Sequence, residues 1–396
     1  MWRPSSKSSR DPELFFLRRS ELDTPLSLLL NRAMGKAHPV YASMELTYMC
    51  NLACRFCYNP VQRRNQPRTT PPPKPGRLPL TLEEILSVLD QLRDMGVLYF
   101  TLTGGEAILH PDFWAIARAA KERSFALRVF TNGASLTEVS VARLAELGPY
   151  CLELSLHGAT ATKAEALTQV KGSFDRQMRA LGRLKERGLR VYLKVVVTRL
   201  VENELEAIKA IGDRFDFPVY FDPVLTPSDD GQDYPLELRA SDDAIRRLYS
   251  ASGLNIGNSP FEREPGRYNC GVGMGTLHVT PYGDVQPCIQ WKQAVGNVRD
   301  KPLREIWETA PLLEQVRAIS RALPAHIRST VEDHAYCLHC PGLSRLHSGD
   351  PMKPEEQYLR LARIRREAAE AKARDRKQSH PAEGSDHAIK PVELQP

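Results

Sequence analysis

Long hydrophobic runs are absent from the 396-residue sequence. The first 22 residues hold no continuous apolar segment of the kind that a secretion signal needs. The longest nearby apolar run, LSLLL at residues 26–30, is far too short to cross a bilayer. These absences predict a soluble, cytoplasmic protein that does not associate with a membrane.

Internal repeats are also missing, and so is a basic stripe interleaved with aromatic residues. Much of the basic character behind the formal net charge of +6 lies in the peripheral segments RPSSKSSR, RRNQPR and RIRREAAEAKARDRK. A nucleic-acid-binding face would instead gather basic residues into one patch beside aromatic side chains. We therefore expect no nucleic-acid partner.

Cysteine is scarce for a disulfide-stabilised protein, because the chain has only eight. Without a secretion signal these residues should remain thiols unless a metal or catalysis uses them. Seven of the eight fall in short clusters or glycine-rich turns. The eighth, Cys151, lies in an apolar strand pattern and is predicted to be an ordinary core residue.

Short β-branched or aromatic runs alternate with amphipathic helical patterns from residue 41 onward. The predicted strands cover residues 41–47, 97–103, 126–131, 150–156, 189–198 and 218–224. Strands separated by helices indicate a parallel sheet. The pattern predicts an α/β fold, a partial (β/α)6 TIM-like barrel, with its active site at the carboxyl ends of the strands.

The alternation of strands and helices stops after residue 226, where glycines and cysteines become frequent. We expect a small cysteine-rich domain there, followed by one polar helix and a tail too polar to fold. Residues 62–79, rich in proline and basic residues, are predicted to form an exposed loop. The predicted division is an N-terminal extension at 1–39, the barrel at 40–226, a connecting segment at 227–265, the cysteine-rich domain at 266–350, a helix at 351–376 and a disordered tail at 377–396.

Three cysteines, Cys50, Cys54 and Cys57, directly follow the first predicted strand. A structural zinc site is closed by four ligands, and a four-iron cluster is usually held by four thiolates. Three thiols leave one coordination position open, so an external molecule would supply the fourth ligand. A zinc knuckle completed by a distant cysteine or histidine is the alternative.

This C-x3-C-x2-C spacing, with aromatic Phe56 before the last cysteine, resembles the radical S-adenosylmethionine enzymes over about residues 40 to 225. The resemblance implies a 4Fe-4S cluster on the three thiolates, with S-adenosylmethionine chelating its unique iron. Reductive cleavage of the sulfonium would then give a 5′-deoxyadenosyl radical that abstracts hydrogen from substrate.

Other segments at strand ends match the same family. The Gly104, Gly105 and Glu106 segment follows the second predicted strand at the position where the family binds the methionine amino group. Glycines permit a close backbone approach, and one carboxylate can pair with an ammonium. By the same resemblance, further cofactor contacts are expected from residues at the ends of the next two strands: Thr131, Asn132 and Ser155.

A second set of thiols comprises Cys270, Cys288, Cys337 and Cys340. Their spacing resembles the SPASM and twitch extensions of radical S-adenosylmethionine enzymes, which carry auxiliary four-iron clusters. No cysteine follows Cys340, so the resemblance implies one auxiliary 4Fe-4S cluster. A structural zinc ribbon is the alternative, because paired thiols suit tetrahedral zinc as well.

The resemblance is strongest to enzymes that crosslink or oxidise a residue of a ribosomally made peptide or protein. It implies a peptide substrate, a separate leader-binding protein where no leader-binding domain is present, and an electron donor such as flavodoxin or ferredoxin. One alternative is a radical dehydrogenase of a small alcohol or carbohydrate. Another, of a different class, is a non-catalytic iron-sulfur or zinc protein.

Overall fold

A computed structural model describes residues 25–59, 77–251, 254, 260 and 270–379. Most of the predicted N-terminal extension, most of the proline-rich loop, part of the predicted connecting segment and most of the predicted tail lie outside these residues. No helix within these ranges is long and apolar enough to cross a membrane.

One sheet contains every strand of the described part of the chain. Its strands are β1 (Tyr41–Glu45), β2 (Tyr99–Thr103), β3 (Ala126–Thr131), β4 (Cys151–Ser155), β5 (Val191–Val196), β6 (Val219–Asp222), β7 (Thr276–Val279), β8 (Asp284–Gln286) and β9 (Gly296–Asn297). Their spatial order is β6-β5-β4-β3-β2-β1-β7-β8-β9. Strands β1 to β6 are parallel and form the predicted barrel half, and the sheet does not close, so the predicted partial barrel is confirmed.

Helices follow most of the strands and cover the outside of the sheet. They are α1 (Pro25–Gly35), α2 (Leu82–Asp94), α3 (Phe113–Glu122), α4 (Glu138–Leu147), α5 (Ala161–Thr168), α6 (Ser173–Glu186), α7 (Leu205–Phe215), α8 (Asp242–Ser250), α9 (Leu303–Thr309), α10 (Pro311–Thr330), α11 (Pro341–Ser348) and α12 (Glu356–Ser379).

Strand β3 shows which side chains face the apolar core and which face the barrel interior. Leu127 and Val129 are fully buried in the main hydrophobic core between sheet and helices. Arg128 and Phe130 are half-buried and, because successive residues of a strand point to opposite faces, they lie on the inner face of the sheet. The barrel interior therefore carries polar and aromatic groups, while the outer layer forms the apolar core.

Local signals in the sequence explain where helices begin. Thr81 Oγ1 accepts a hydrogen bond from the Glu84 amide at 3.3 Å, and Glu84 Oε2 accepts one from the Thr81 amide at 2.8 Å. These two bonds form a capping box at the start of α2. His110 likewise belongs to the turn before α3, because its Nδ1 accepts the Asp112 amide at 3.2 Å.

Several features differ from the sequence-based expectation or extend it. Helix α5 was not predicted, and neither were α1, α8, α9, α10 and α11. Strand β7 pairs in parallel with β1, and β8 and β9 continue the same sheet, so the segment containing the second cysteine set extends the barrel sheet. Helix α12 runs to Ser379, three residues into the segment predicted to be disordered. The proposed domain boundaries themselves stay predictions.

Candidate active site and cofactor-binding centre

The first cysteine set lies on the loop that leaves the carboxyl end of β1. The Leu46 amide donates to the Thr103 carbonyl at 3.0 Å and so ties the base of this loop to β2. Farther along, the Ala53 and Arg55 amides donate to the carbonyls of Thr168 and Leu167 at 3.0 and 2.9 Å. The end of α5, a helix that sequence reasoning missed, is therefore one wall of the cysteine loop.

The thiols of Cys50, Cys54 and Cys57 lie within electrostatic range of one another. Burial raises the pKa of Cys50 to about 11 and that of Cys57 to about 12, and it also raises the pKa of Cys54. Without a metal these groups are neutral thiols at physiological pH. Coordination to iron would deprotonate them, since a bound metal is the dominant local charge.

The two glycines of the second motif pack against the backbone of this loop. A Cβ added at Gly104 would lie 2.3 Å from the Thr47 carbonyl oxygen, and one at Gly105 would lie 2.3 Å from the Met49 carbonyl oxygen. The Gly105 amide donates to the Thr47 carbonyl at 2.7 Å. The glycines therefore allow the end of β2 to pack directly against the cysteine loop. The sequence predicted a close approach to a ligand and did not predict this packing role.

Glu106 is buried, with 1% of its surface exposed, and both of its carboxylate oxygens are hydrogen-bonded. Oε1 accepts from the Thr131 hydroxyl and Oε2 from the Asn132 amide, each at 2.7 Å. Burial raises the pKa of Glu106 to about 7, against the opposing effect of these hydrogen bonds. The carboxylate thus joins the ends of β2 and β3, and its pairing with a cofactor ammonium stays a prediction.

Asn132 connects this carboxylate to the cysteine loop. Its side-chain nitrogen donates to Asn51 Oδ1 at 2.8 Å and to Cys50 Sγ at 3.5 Å. The Asn132 carbonyl accepts from Gln177 Nε2 at 2.6 Å. Gln177 Nε2 also donates to the Ser155 carbonyl at 2.9 Å. The predicted residues Glu106, Asn132 and Ser155 are therefore brought into one network with the first cysteine, through two residues that sequence reasoning did not find. No short motif marks Asn51 or Gln177.

Phe56 and His157 form an aromatic contact beside the cysteines, with ring centroids 5.8 Å apart. His157 is 5% exposed, and its Nε2 has no hydrogen-bond partner among the described residues. Burial lowers its pKa to about 4, so the ring is neutral at physiological pH. The unpartnered nitrogen is therefore available to a ligand beside the cysteines.

Two charged residues of β5 and β6 have local partners. Lys194 Nζ lies 3.7 Å from Glu153 Oε2 and 4.6 Å from the centre of the Tyr220 ring, inside the barrel. Asp222 Oδ1 accepts the Val224 amide at 2.9 Å and so caps the loop after β6.

A buried polar group lies between β1 and β7. His278 Nδ1 is hydrogen-bonded to Ser43 Oγ at 2.8 Å, and His278 Nε2 is hydrogen-bonded to Glu45 Oε2 at 3.2 Å. Burial alone would raise the pKa of Glu45, but the His278 hydrogen bond and the Lys292 charge outweigh it and hold this pKa below its usual value. This group was not predicted, because it depends on the pairing of β7 with β1.

The second cysteine set lies where β8 approaches α10, α11 and α12. Cys270, Cys288 and Cys340 lie within electrostatic range of one another, and burial raises the pKa of each to about 12. Cys337 is fully buried in an apolar cluster with residues of α10 and α12, and Cys340 packs against the same cluster. Its participation as fourth ligand stays a prediction. Among the described residues, no three Cys, His, Asp or Glu side chains converge closely enough to hold a single metal ion.

The two cysteine sets are joined by the segment after β6. The Tyr234 hydroxyl donates to the Cys57 carbonyl at 2.7 Å, and the Asp229 amide donates to the Tyr58 carbonyl at 2.7 Å. Lys292, four residues after Cys288, places its Nζ 3.0 Å from Asp229 Oδ2. Contacts over such sequence distances leave no local signal in the sequence.

Comparisons with known proteins identify the family. Residues 44–211 match the radical SAM superfamily, and residues 270–341 match an iron-sulfur cluster-binding domain, SPASM. The chain is 32% identical to the mycofactocin maturase of Mycobacterium ulcerans over 301 residues, covering 72% of this chain and 78% of that protein. The chain belongs to the radical SAM superfamily. The predicted family and its cofactors are thereby confirmed.

Other radical SAM relatives extend the comparison. The PqqA peptide cyclase of Ruegeria pomeroyi is 28% identical over 310 residues, covering 74% of this chain and 79% of that protein. The fold is similar to that of Streptococcus suis SuiB bound to the precursor peptide SuiA, with a TM-score of 0.55 and 20% identity over 75% of this chain and 73% of that one.

The residues of this radical SAM protein fit the cofactors of the superfamily. Thiolates are the ligands of iron-sulfur clusters, and each buried cysteine set offers only thiols as metal donors. When bound, the three-cysteine cluster and S-adenosylmethionine supply an electron and the precursor of a 5′-deoxyadenosyl radical. The chain's own residues fix the cysteine loop through the Gly105 and Glu106 backbone contacts.

Proposed function

We propose that this protein is a cytoplasmic maturase that crosslinks or oxidises a side chain of a ribosomally made peptide. The observation that carries the proposal is its similarity, over 72% and 74% of the chain, to a mycofactocin maturase and to a PqqA peptide cyclase. The fold similarity to a protein solved with a precursor peptide supports the same substrate class.

The barrel interior beside the cysteine loop offers a polar group to a substrate. Ser43, Glu45 and His278 are already hydrogen-bonded to one another, and Glu45 and His278 are buried. The Nε2 atom of His157, which has no partner among the described residues, can pair with an amide of a peptide chain, which would otherwise lose a hydrogen bond on leaving water. A neutral His157 next to Phe56 adds a surface of mixed polarity.

The proposal includes a division of roles between the two cysteine sets. Cys50, Cys54 and Cys57 hold the cluster that binds S-adenosylmethionine, with Gly104, Gly105, Glu106, Thr131, Asn132, Ser155 and Phe56 around the cofactor. Cys270, Cys288, Cys337 and Cys340 hold one auxiliary cluster, which accepts the second electron when the substrate is oxidised. The oxidoreductase character of the enzyme follows from this role.

Two partners complete the proposed cycle. Reductive cleavage consumes one electron per cofactor, so a flavodoxin or ferredoxin would deliver it to the first cluster. A separate leader-binding protein would present the peptide. Both partners act in the cytoplasm, where thiols stay reduced.

The test uses the full chain, reconstituted anaerobically with iron and sulfide, and candidate precursor peptides encoded next to its gene. With dithionite and S-adenosylmethionine, the expected product is 5′-deoxyadenosine together with a peptide that has lost two hydrogen atoms by mass spectrometry. Deoxyadenosine formation with every candidate peptide unchanged, and with a small alcohol oxidised instead, would contradict the peptide assignment.

A further inference from the structure

An arginine-rich cavity of about 540 Å³ lies at the carboxyl end of β5. Its walls come from the segment after β5, from the start of α8 and from the first half of α12. The lining residues are Arg199, Glu202, Arg239, Ala240, Ser241 and Arg360. None of them belongs to either cysteine site.

The walls of the cavity are held by backbone contacts, so the backbone positions that carry its arginines are fixed. The Arg199 amide donates to the Leu238 carbonyl at 2.9 Å, and Thr198 and Arg239 form an antiparallel bridge. The neighbouring Ser241 amide donates to Glu202 Oε2 at 2.7 Å. Arg199 and Arg239 therefore project from two paired segments.

The guanidinium groups differ in how well they are paired. Arg360 donates to Asp242 Oδ1 at 2.5 Å and to the Ala240 carbonyl at 2.7 Å. The Arg239 Nε atom, by contrast, is buried without a hydrogen-bond partner among the described residues, although the Glu355 carboxylate lies within electrostatic range of this guanidinium. The Arg199 side chain is exposed. A buried, unpaired donor on a charged group costs free energy unless a ligand satisfies it.

A planar guanidinium pairs with a carboxylate or a phosphate through two parallel hydrogen bonds, and an unmodified peptide carries carboxylates. We propose that this cavity binds an acidic side chain of the peptide substrate through Arg199 and Arg239. The inference rests on the proposed function, because it names a feature of that same peptide. Glu202 is the one carboxylate in the lining, and the Ser241 amide already occupies one of its oxygens.

The position of the cavity relates it to the cysteine loop. Both lie at the carboxyl ends of parallel strands, and β5 is four strands from β1 in the sheet. Four strand spacings amount to roughly 19 Å along the sheet, a distance that about six residues of extended peptide cover. The acidic residue should therefore lie within about six positions of the modified one.

Direct binding tests the inference without requiring turnover. The anaerobically reconstituted full chain is titrated into two fluorescein-labelled, amidated peptides, Gly-Glu-Gly-Glu-Gly and Gly-Gln-Gly-Gln-Gly, and anisotropy gives both dissociation constants. We expect the glutamate peptide to bind at least about tenfold more tightly than the glutamine peptide, as charge-assisted pairing predicts. The double variant R199A/R239A should lose that preference. A control, R118A/R179A, removes two exposed arginines from α3 and α6 and should retain it.

A second variant covers the case in which R239A disturbs folding. Arg199 is exposed, so R199E should leave the fold intact and abolish the preference. Equal binding of both peptides to the wild type, or an unchanged preference in R199E, would overturn the inference, as would displacement by inorganic phosphate with no discrimination between the peptides. If peptide binding depends on the arginines but no peptide is modified, the proposed function is wrong and the cavity inference stands. If a peptide is modified but its binding does not depend on the arginines, the cavity inference is wrong and the proposed function stands.

Discussion

The ammonium of Lys292 lies 3.0 Å from Asp229 Oδ2 and 4.9 Å from the centre of the Tyr58 ring. Lys292 follows the second cysteine of the SPASM region, whereas Tyr58 follows the last cysteine of the first set. Burial raises the pKa of Asp229 to about 6 in spite of the lysine. One partly buried ion pair therefore connects the two metal-binding regions.

Replacing Lys292 with Met should destabilise the protein by about 1–2 kcal/mol, because the Asp229 carboxylate would stay in a largely buried place without its partner. Chemical denaturation of the reconstituted protein measures the change. The matched control is K301M, which removes an exposed ion pair with Glu305 and should cost less than about 0.5 kcal/mol. Equal effects of the two substitutions would show that the Asp229 contact contributes no more than a surface pair.

Alanine at Gly105 should displace the cysteine loop. The added Cβ would lie within 2.6 Å of backbone atoms of Tyr48 and Met49, which cannot move without the loop that carries Cys50. We expect a loss of most iron from the first site and of deoxyadenosine formation, measured on the same sample. The control G182A adds a methyl group in α6, where the nearest atom is 4.0 Å away, and should stabilise the protein by about 0.5–1 kcal/mol. Full iron content in G105A would refute the close packing.

Glu106 predicts a pH dependence of stability. Its folded pKa of about 7 lies above the ordinary value of 4.5, so its favourable contribution is present below pH 4.5 and is lost as the pH rises through 7. E106Q, which stays neutral, should therefore gain about 2 kcal/mol relative to wild type between pH 5.5 and pH 8, at about 1.4 kcal/mol for each pH unit up to 7. Unfolding free energies at pH 5.5 and pH 8 decide the matter, and a difference between the two proteins that does not change with pH would contradict it.

His157 should stay neutral wherever the protein is folded. Because burial lowers its pKa from 6.5 to about 4, its contribution to stability is complete above pH 6.5 and is lost as the pH falls through 4. In nitrogen-15 histidine spectra one imidazole should not titrate between pH 5 and 8, and H157F should remove that signal. If the signal that H157F removes instead titrates near pH 6.5, the His157 ring is exposed in solution.

The strands could be predicted because each carries its own pattern of buried and inward-facing residues, as Leu127 and Arg128 do in β3. The cysteine and glycine motifs were equally local, so their position at strand ends followed from the fold. Helix α5 was missed because eight residues with three alanines and no strong apolar periodicity give a weak signal. The pairing of β7 with β1 was missed because it joins segments more than 230 residues apart.

The site was predictable in its residue types and less so in its contacts. Glu106 was expected to face an ammonium, and the structure shows that Thr131 and Asn132 already bind both of its oxygens. Asn51, Gln177 and Lys292 belong to no motif, and only the folded chain brings them to the cysteines. Contacts of these residues form between segments that are far apart in the sequence. A single sequence does not show which of its segments lie close together in the fold.

The central claim is a chain with one reducible three-cysteine cluster and one auxiliary cluster. Iron, sulfide and zinc are counted in anaerobically reconstituted wild type and C54A, and dithionite and S-adenosylmethionine are then added. The account predicts about eight irons and deoxyadenosine for wild type, and about four irons with no deoxyadenosine for C54A. Zinc in place of iron, or normal deoxyadenosine formation by C54A, would contradict it.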